Sequence, residues 1–148
     1  MSRKVYFARA MDGIEDEDIH YQAKEVSELL ERYNLQIIDP FIAVDRHQTT
    51  ENFEDVALRI VEADLELLRT ADAVLMDCSI PGRSYVGCIC ELVYAHLWGI
   101  PVVVYVGTSG NDKRYWLVYH ANEVHTEWGE AISGLLSHIQ RTDQQAEN

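Results

Sequence analysis

Apolar positions along this chain change period repeatedly, from runs that suit buried strands to spacings that suit one face of a helix. Residues 4–8 predict a first buried strand, followed by an acidic loop over 11–18. Ile19, Ala23, Val26, Leu30 and Tyr33 then recur on one face and predict a helix over 18–33. Leu35–Ile38 predicts a short strand that Asp39-Pro40 stops, and 41–50 predicts a loop with functional potential. A second helix follows over 51–69, a third strand over 71–76, and a turn at Pro81-Gly82. Gly87 opens a helix that reaches Trp98, Gly99 stops it, and Pro101 begins a strand over 102–106. The remainder predicts a helix near 113–121, a weak strand over 123–126 and a last helix near 129–140. Residues 143–148 then form a frayed tail to a single domain of residues 1–142.

Strands that alternate with helices indicate parallel βαβ units with right-handed crossovers. The uninterrupted apolar runs at 73–76 and 102–106 suit a sheet covered on both faces. The expected fold class is therefore α/β: a flavodoxin-like three-layer sandwich whose five parallel strands run in the order 2-1-3-4-5. In that order the ligand crevice lies outside the carboxyl ends of strands one and three, between the loops over 9–13 and 77–87.

Composition narrows the function without naming it. The 148 residues and a hydrophobic fraction of 47% allow one folded domain with a substantial core. A formal net charge of -13 argues against a nucleic acid polymer or an anionic membrane as partner. Three cysteines, Cys78, Cys88 and Cys90, make an odd count with no framework spacing, as expected of reduced thiols in a cytoplasmic protein. Residues 1–5 are too short and too charged for a signal peptide, and no apolar run is long enough to span a membrane.

Two carboxylates stand out against this background. On the second helix, Phe53, Val56, Ala57, Ile60, Leu67 and Leu68 form the apolar stripe, and Asp64 falls within it. Burial and a nearby helix C-terminus would both raise its pKa, as an acid or a hydrogen-bonding partner of a sugar requires. From spacing alone, an aspartate paired at the core rim with an arginine or a backbone donor is the commoner outcome.

Glu91 sits among Cys88, Ile89, Cys90, Leu92, Val93, Ala95 and Leu97, in the first turn of a helix expected to be apolar all round. The helix dipole should keep it ionised and fit to act as a nucleophile, although a glutamate placed only to complement that dipole is commoner. Together, one carboxyl pushed towards protonation and one held charged beside the same crevice match the division of roles in glycosidic chemistry.

The loop over 81–87, Pro-Gly-Arg-Ser-Tyr-Val-Gly, leads into a helix N-terminus where backbone N–H groups can hold an anion or a hydroxyl-rich ligand. It matches neither the Walker phosphate loop nor the dinucleotide fingerprint. Neither the cysteines nor the scattered histidines have ligand spacing, so no metal and no cofactor is expected.

The run Lys4-Val-Tyr-Phe-Ala, Asp64 ahead of Ala71-Asp-Ala-Val, and Gly87-Cys-Ile-Cys-Glu-Leu-Val-Tyr-Ala followed by Gly99-Ile-Pro-Val-Val resemble the nucleoside 2-deoxyribosyltransferase family. That family includes hydrolases of deoxynucleoside 5'-monophosphates. The resemblance covers about residues 4–106. It implies a covalent ribosyl-enzyme intermediate on Glu91, with Asp64 contacting the sugar or assisting proton transfer and Tyr6 lining the pocket. It also implies a homodimer or higher homo-oligomer whose subunits complete one another's sites, with Asn122 as the candidate contribution.

Three departures stand out. Tyr85 occupies the place where the transferases carry an aspartate for the base. Ala10 and Asp12 stand where the monophosphate hydrolases carry serine and arginine, and Asp12 would repel a phosphate unless Arg9, Arg83 or Ser84 compensates. The resemblance thus implies a small nucleoside or nucleotide as substrate, with Tyr6, Arg9, Asp12, Gly13, Gly82, Ser84, Tyr85 and Gly87 as the expected binding residues. The alternatives are a nucleoside 5'-monophosphate N-glycosidase and a non-catalytic nucleotide sensor.

Overall fold

The computed structural model of the chain describes residues 2–46 and 52–148. Strands β1 (Arg3–Arg9), β2 (Leu35–Ile38), β3 (Ala73–Asp77), β4 (Val102–Tyr105) and β5 (Glu123–His125) form one sheet. All pairings are parallel and the order is β2-β1-β3-β4-β5, as the strand-helix alternation predicts. The helices are α1 (Asp16–Glu31), α2 (Pro40–Ala43), α3 (Phe53–Arg69), α4 (Val86–Leu97), α5 (Tyr115–His120) and α6 (Trp128–Ala146).

The strand pleat sorts the core into two layers, because successive side chains point to opposite faces. Val5, Phe7, Ala73, Leu75 and Val103 pack with Val26 and Leu30 of α1 and with Ala131, Leu135 and Ile139 of α6. Tyr6, Ala8, Val74, Met76, Val102 and Val104 pack on the other side with Leu68 of α3, Leu92 and Ala95 of α4, and Leu117 of α5. Both faces are covered, which is why the strands read as unbroken apolar runs. The same pleat puts Tyr6 on the α3–α4 side of β1.

Several boundaries differ from the sequence expectation. The first helix begins at Asp16, whose acidic turn Asp16, Glu17, Asp18 suits the positive end of the dipole. It ends at Glu31, because the N–H groups of Tyr33 and Asn34 turn back to Leu30 and Glu31 and Asn34 takes a left-handed φ of 58°. Tyr33 therefore leaves the buried face.

Part of the predicted 41–50 loop is α2, with Pro40 in its first turn and Asp39 accepting a bond from the Phe41 N–H at 3.0 Å. Residues 47–50 of that loop, and Glu51 at the predicted start of the second helix, lie outside the described residues. Asn52 caps α3 by accepting from the Asp55 N–H. The predicted tail is largely helix, since α6 runs to Ala146 and the Arg3 guanidinium bonds Asp143.

The α3 stripe is less buried than its spacing suggests. Leu68 is fully enclosed, but Phe53 projects into solvent. Likewise α4 is not buried all round: Val86 and Leu97 are exposed, while Cys88, Leu92 and Ala95 face the core.

At the carboxyl edge of the sheet, Arg9 is locked in place. Its Nη1 and Nη2 donate to Asp39 Oδ1 and Oδ2 at 2.8 and 2.9 Å, with both side chains almost wholly buried. Nη2 also reaches the Ile19 carbonyl, and the guanidinium lies 4.5 Å from the centre of the Phe7 ring. A fork this well satisfied ties the ends of β1 and β2 to the start of α1.

Candidate active site

A cleft of about 260 Å³ opens at the carboxyl ends of β1 and β3, where the strand order predicts a ligand crevice. The loop after β1 supplies Ala10, Met11 and Asp12, the loop after β3 supplies Arg83, Ser84 and Tyr85, and the start of α4 supplies Val86, Gly87 and Cys88. Asp64 from α3, Glu91 from α4 and Arg46 from the segment after α2 complete the lining. The fold thus brings together Arg9, Asp12, Asp64, Ser84, Tyr85, Gly87 and Glu91 from the expected set.

Backbone geometry shapes the second loop. Tyr85 precedes α4 with φ 54° and ψ 39°, a left-handed conformation unusual for a bulky residue. Its hydroxyl accepts the Ile80 N–H at 2.9 Å, which closes the loop on itself. Burial pushes the Tyr85 phenol up to about 12, so it remains protonated. Gly82 has φ 75° within this turn, a value that disfavours any side chain. Neither Gly82 nor Gly13 lines the cleft. Gly13 instead lies where a Cβ would come within 3.7 Å of the Arg83 guanidinium, whose Nη2 donates to the Asp12 carbonyl. Among the described residues, no side chain caps α4, and a Cβ at Gly87 would meet nothing within 4 Å. The helix N-terminus is therefore open to a ligand.

Glu91 is the sixth residue of α4, in its second turn rather than its first. That placement weakens the stabilisation expected from the helix dipole, which falls off within the first turn. Oε2 is out of solvent contact and has no hydrogen-bond partner among the described residues. The Tyr6 hydroxyl is likewise buried and unpartnered by strict geometry, yet close enough for each group to influence the other's ionisation. Burial raises Glu91 to about 7, Tyr6 opposes the rise, and the Asp64 charge adds to it. The expectation of a carboxylate held fully ionised by the helix is therefore corrected: desolvation outweighs the dipole. Burial also raises the Tyr6 phenol, with the Glu91 charge adding to the effect.

Asp64 has the environment its helix face implies, with an addition. Burial raises its pKa, and Arg46 opposes the rise by placing Nη2 2.7 Å from each carboxylate oxygen. Arg46 lines the cleft and pairs with Asp64, and sequence reasoning did not single it out. It falls within the loop marked for function, but eighteen positions from its partner no periodicity connects the two. Cys88 also lines the cleft, with its thiol held un-ionised by a contact with Cys78 and by burial.

Two expected ligand residues have partners within the fold. Arg9 lines the cleft, and its guanidinium is engaged by Asp39. Asn122 lies at the opposite end of the sheet, where its Oδ1 accepts the Val102 N–H at 2.9 Å. Among the described residues, no group of three or more His, Cys, Asp or Glu could hold a metal ion. No helix among them is long and apolar enough to cross a membrane.

A family model described as nucleoside 2-deoxyribosyltransferase matches residues 5–130. Among solved structures, the 2-deoxyribosyltransferase from Bacillus psychrosaccharolyticus superposes with a TM-score of 0.65 at 18% identity, covering 86% of this chain and 88% of that one. A 2-desoxiribosyltransferase from Leishmania mexicana gives 0.65 at 18% identity over 92% and 98% of the two chains. The CMP N-glycosidase BcmB from Clostridium botulinum gives 0.54 at 12% identity over 97% and 99%. At these identities the superpositions establish the shared fold. No curated protein matches the chain.

A raised carboxyl pKa has a thermodynamic signature. Between about 4.5 and about 7 the folded state keeps a proton on Glu91 that the unfolded chain releases, so stability falls as pH rises through that window. Glu91→Gln removes the penalty. In denaturant melts, the variant should exceed wild type by on the order of 2–3 kcal/mol at pH 8 and match it near pH 4. A pH-independent difference would contradict the buried acid.

Proposed function

Because the chain belongs to the nucleoside 2-deoxyribosyltransferase family, we propose that it cleaves the N-glycosidic bond of a small nucleoside through a covalent glycosyl ester on Glu91. One observation carries the reading: the Glu91 carboxyl is buried beneath a cleft that Asp64 also lines. The ionised carboxylate attacks the anomeric carbon as the bond to the base nitrogen breaks, and the base departs with the electron pair and takes up a proton. Tyr85 borders the cleft with its proton retained and is the candidate donor. A second base, or water, then attacks the same carbon, loses its own proton and frees Glu91. Two displacements give net retention.

The charges around the cleft favour a substrate without a 5'-phosphate. Arg9 is paired with Asp39, Arg46 with Asp64, and Arg83 is tied to the Asp12 carbonyl, while Asp12 itself lines the cleft. The family resemblance also implies a homo-oligomer. Helices α3, α4 and α5 support it by leaving Leu58, Val61, Val86, Leu97, Tyr115 and Trp116 uncovered. Sedimentation should therefore find a dimer or larger species, and a monomer at micromolar concentration would count against this.

Base release from a panel of nucleosides and monophosphates, with and without an acceptor base, tests the reaction. Glu91→Ala should lower the rate by roughly 10³-fold or more. Wild type should prefer the unphosphorylated substrates, with kcat/KM rising with pH up to about 7 as Glu91 ionises. Undiminished release by the variant would remove the mechanism. Tight binding with no release by wild type would instead favour a sensor.

A further inference from the structure

Two carboxyl groups border the cleft, and they differ in their partners. Arg46 Nη2 lies 2.7 Å from both oxygens of Asp64, and the two side chains are only 23% and 17% exposed. Glu91 Oε2 has no such partner among the described residues. A shielded, charge-assisted contact favours the ionised form of the carboxyl it touches. For Asp64 this pull opposes burial, so removing Arg46 would leave burial acting alone.

One nitrogen spanning both oxygens also leaves lone pairs free. A carboxylate has about four acceptor positions, and the bridge occupies roughly one on each oxygen. The remainder can accept hydrogen bonds from a ligand in the cleft that Asp64 lines. The Arg46 Nε is buried and has no hydrogen-bond partner among the described residues, so the guanidinium carries some desolvation cost in this position.

We propose that Arg46 is a positioning residue that holds Asp64 as a fixed, ionised acceptor for a sugar hydroxyl and withholds it from donating a proton to the base. The proposal rests on the glycosidic reading given above and assigns the proton of the resting carboxyl pair to Glu91. Besides burial, the group acting on Asp64 is Arg46 from the segment after α2, and the Asp64 charge in turn acts on Glu91 from α4 and Tyr6 from β1. Asp12 and Arg83 stand on the two loops around the same cleft, and the Arg9 charge is matched by Asp39.

The test titrates protein labelled with ¹³C at the aspartate and glutamate carboxyls, without substrate, and assigns the two signals with Asp64→Asn and Glu91→Gln. In wild type Asp64 should ionise at lower pH than Glu91. In Arg46→Gln its midpoint should rise by about one pH unit, a tenfold change in its ionisation constant, and Arg46→Lys should restore most of the shift. With an active nucleoside, Arg46→Gln should lose about tenfold or more in kcat/KM, and Arg46→Lys should recover part of it. A substrate lacking the hydroxyl that Asp64 receives should lose much less. Asp64 ionising after Glu91 in wild type overturns the proposal even if a variant does not fold. An unmoved Asp64 midpoint in folded Arg46→Gln overturns it too, while base release by wild type would leave the glycosidic reading standing. Conversely, absence of base release by wild type removes that reading while the titration still reports on the ion pair.

Discussion

Withdrawing a carboxyl group from water is costly unless it is neutralised or paired, and Glu91 lies under that constraint. The α4 turns on either side of it are anchored by Cys88, Leu92 and Ala95 in the layer that covers the sheet. Tyr6 comes from the interior strand β1, whose pleat commits it to that same layer. A doubly covered parallel sheet therefore supplies a rigid, poorly hydrated floor under the cleft. The raised pKa of Glu91 follows from that floor more than from any single contact.

Much of this was legible in the chain. Alternating strand and helix spacings led to the observed strand order, and that order led to the crevice where Asp64 and Glu91 meet. Asp64 was visible because a charged residue interrupted an apolar stripe. Glu91 was visible because it interrupted an apolar helix. What periodicity could not carry was pairing across the fold. Arg9 looked available for a ligand, but Asp39, just past the end of the neighbouring strand β2, pairs with it. Arg46 carried no pattern at all, because its partner is defined only once α3 packs beside the cleft. The strength of the dipole at Glu91 was overestimated because the residue is the sixth of α4, beyond the first turn in which the field acts.

Charge also separates into two scales. The formal balance of -13 describes the surface as a whole, whereas the cleft holds three acidic side chains, Asp12, Asp64 and Glu91, among arginines with assigned partners. On the proposed reading, specificity comes from hydrogen bonds to sugar and base more than from attraction of an anion. Tyr85, in a left-handed turn and bonded to Ile80, forms part of the cleft wall.

The most direct measurement of the central claim is mass spectrometry of enzyme quenched during turnover of a nucleoside above pH 7, followed by peptide mapping. The account predicts one sugar mass on the peptide that contains Glu91, discharged when an acceptor base is added before the quench. A peptide that stays unmodified throughout turnover, together with an inverted anomeric product, would contradict it.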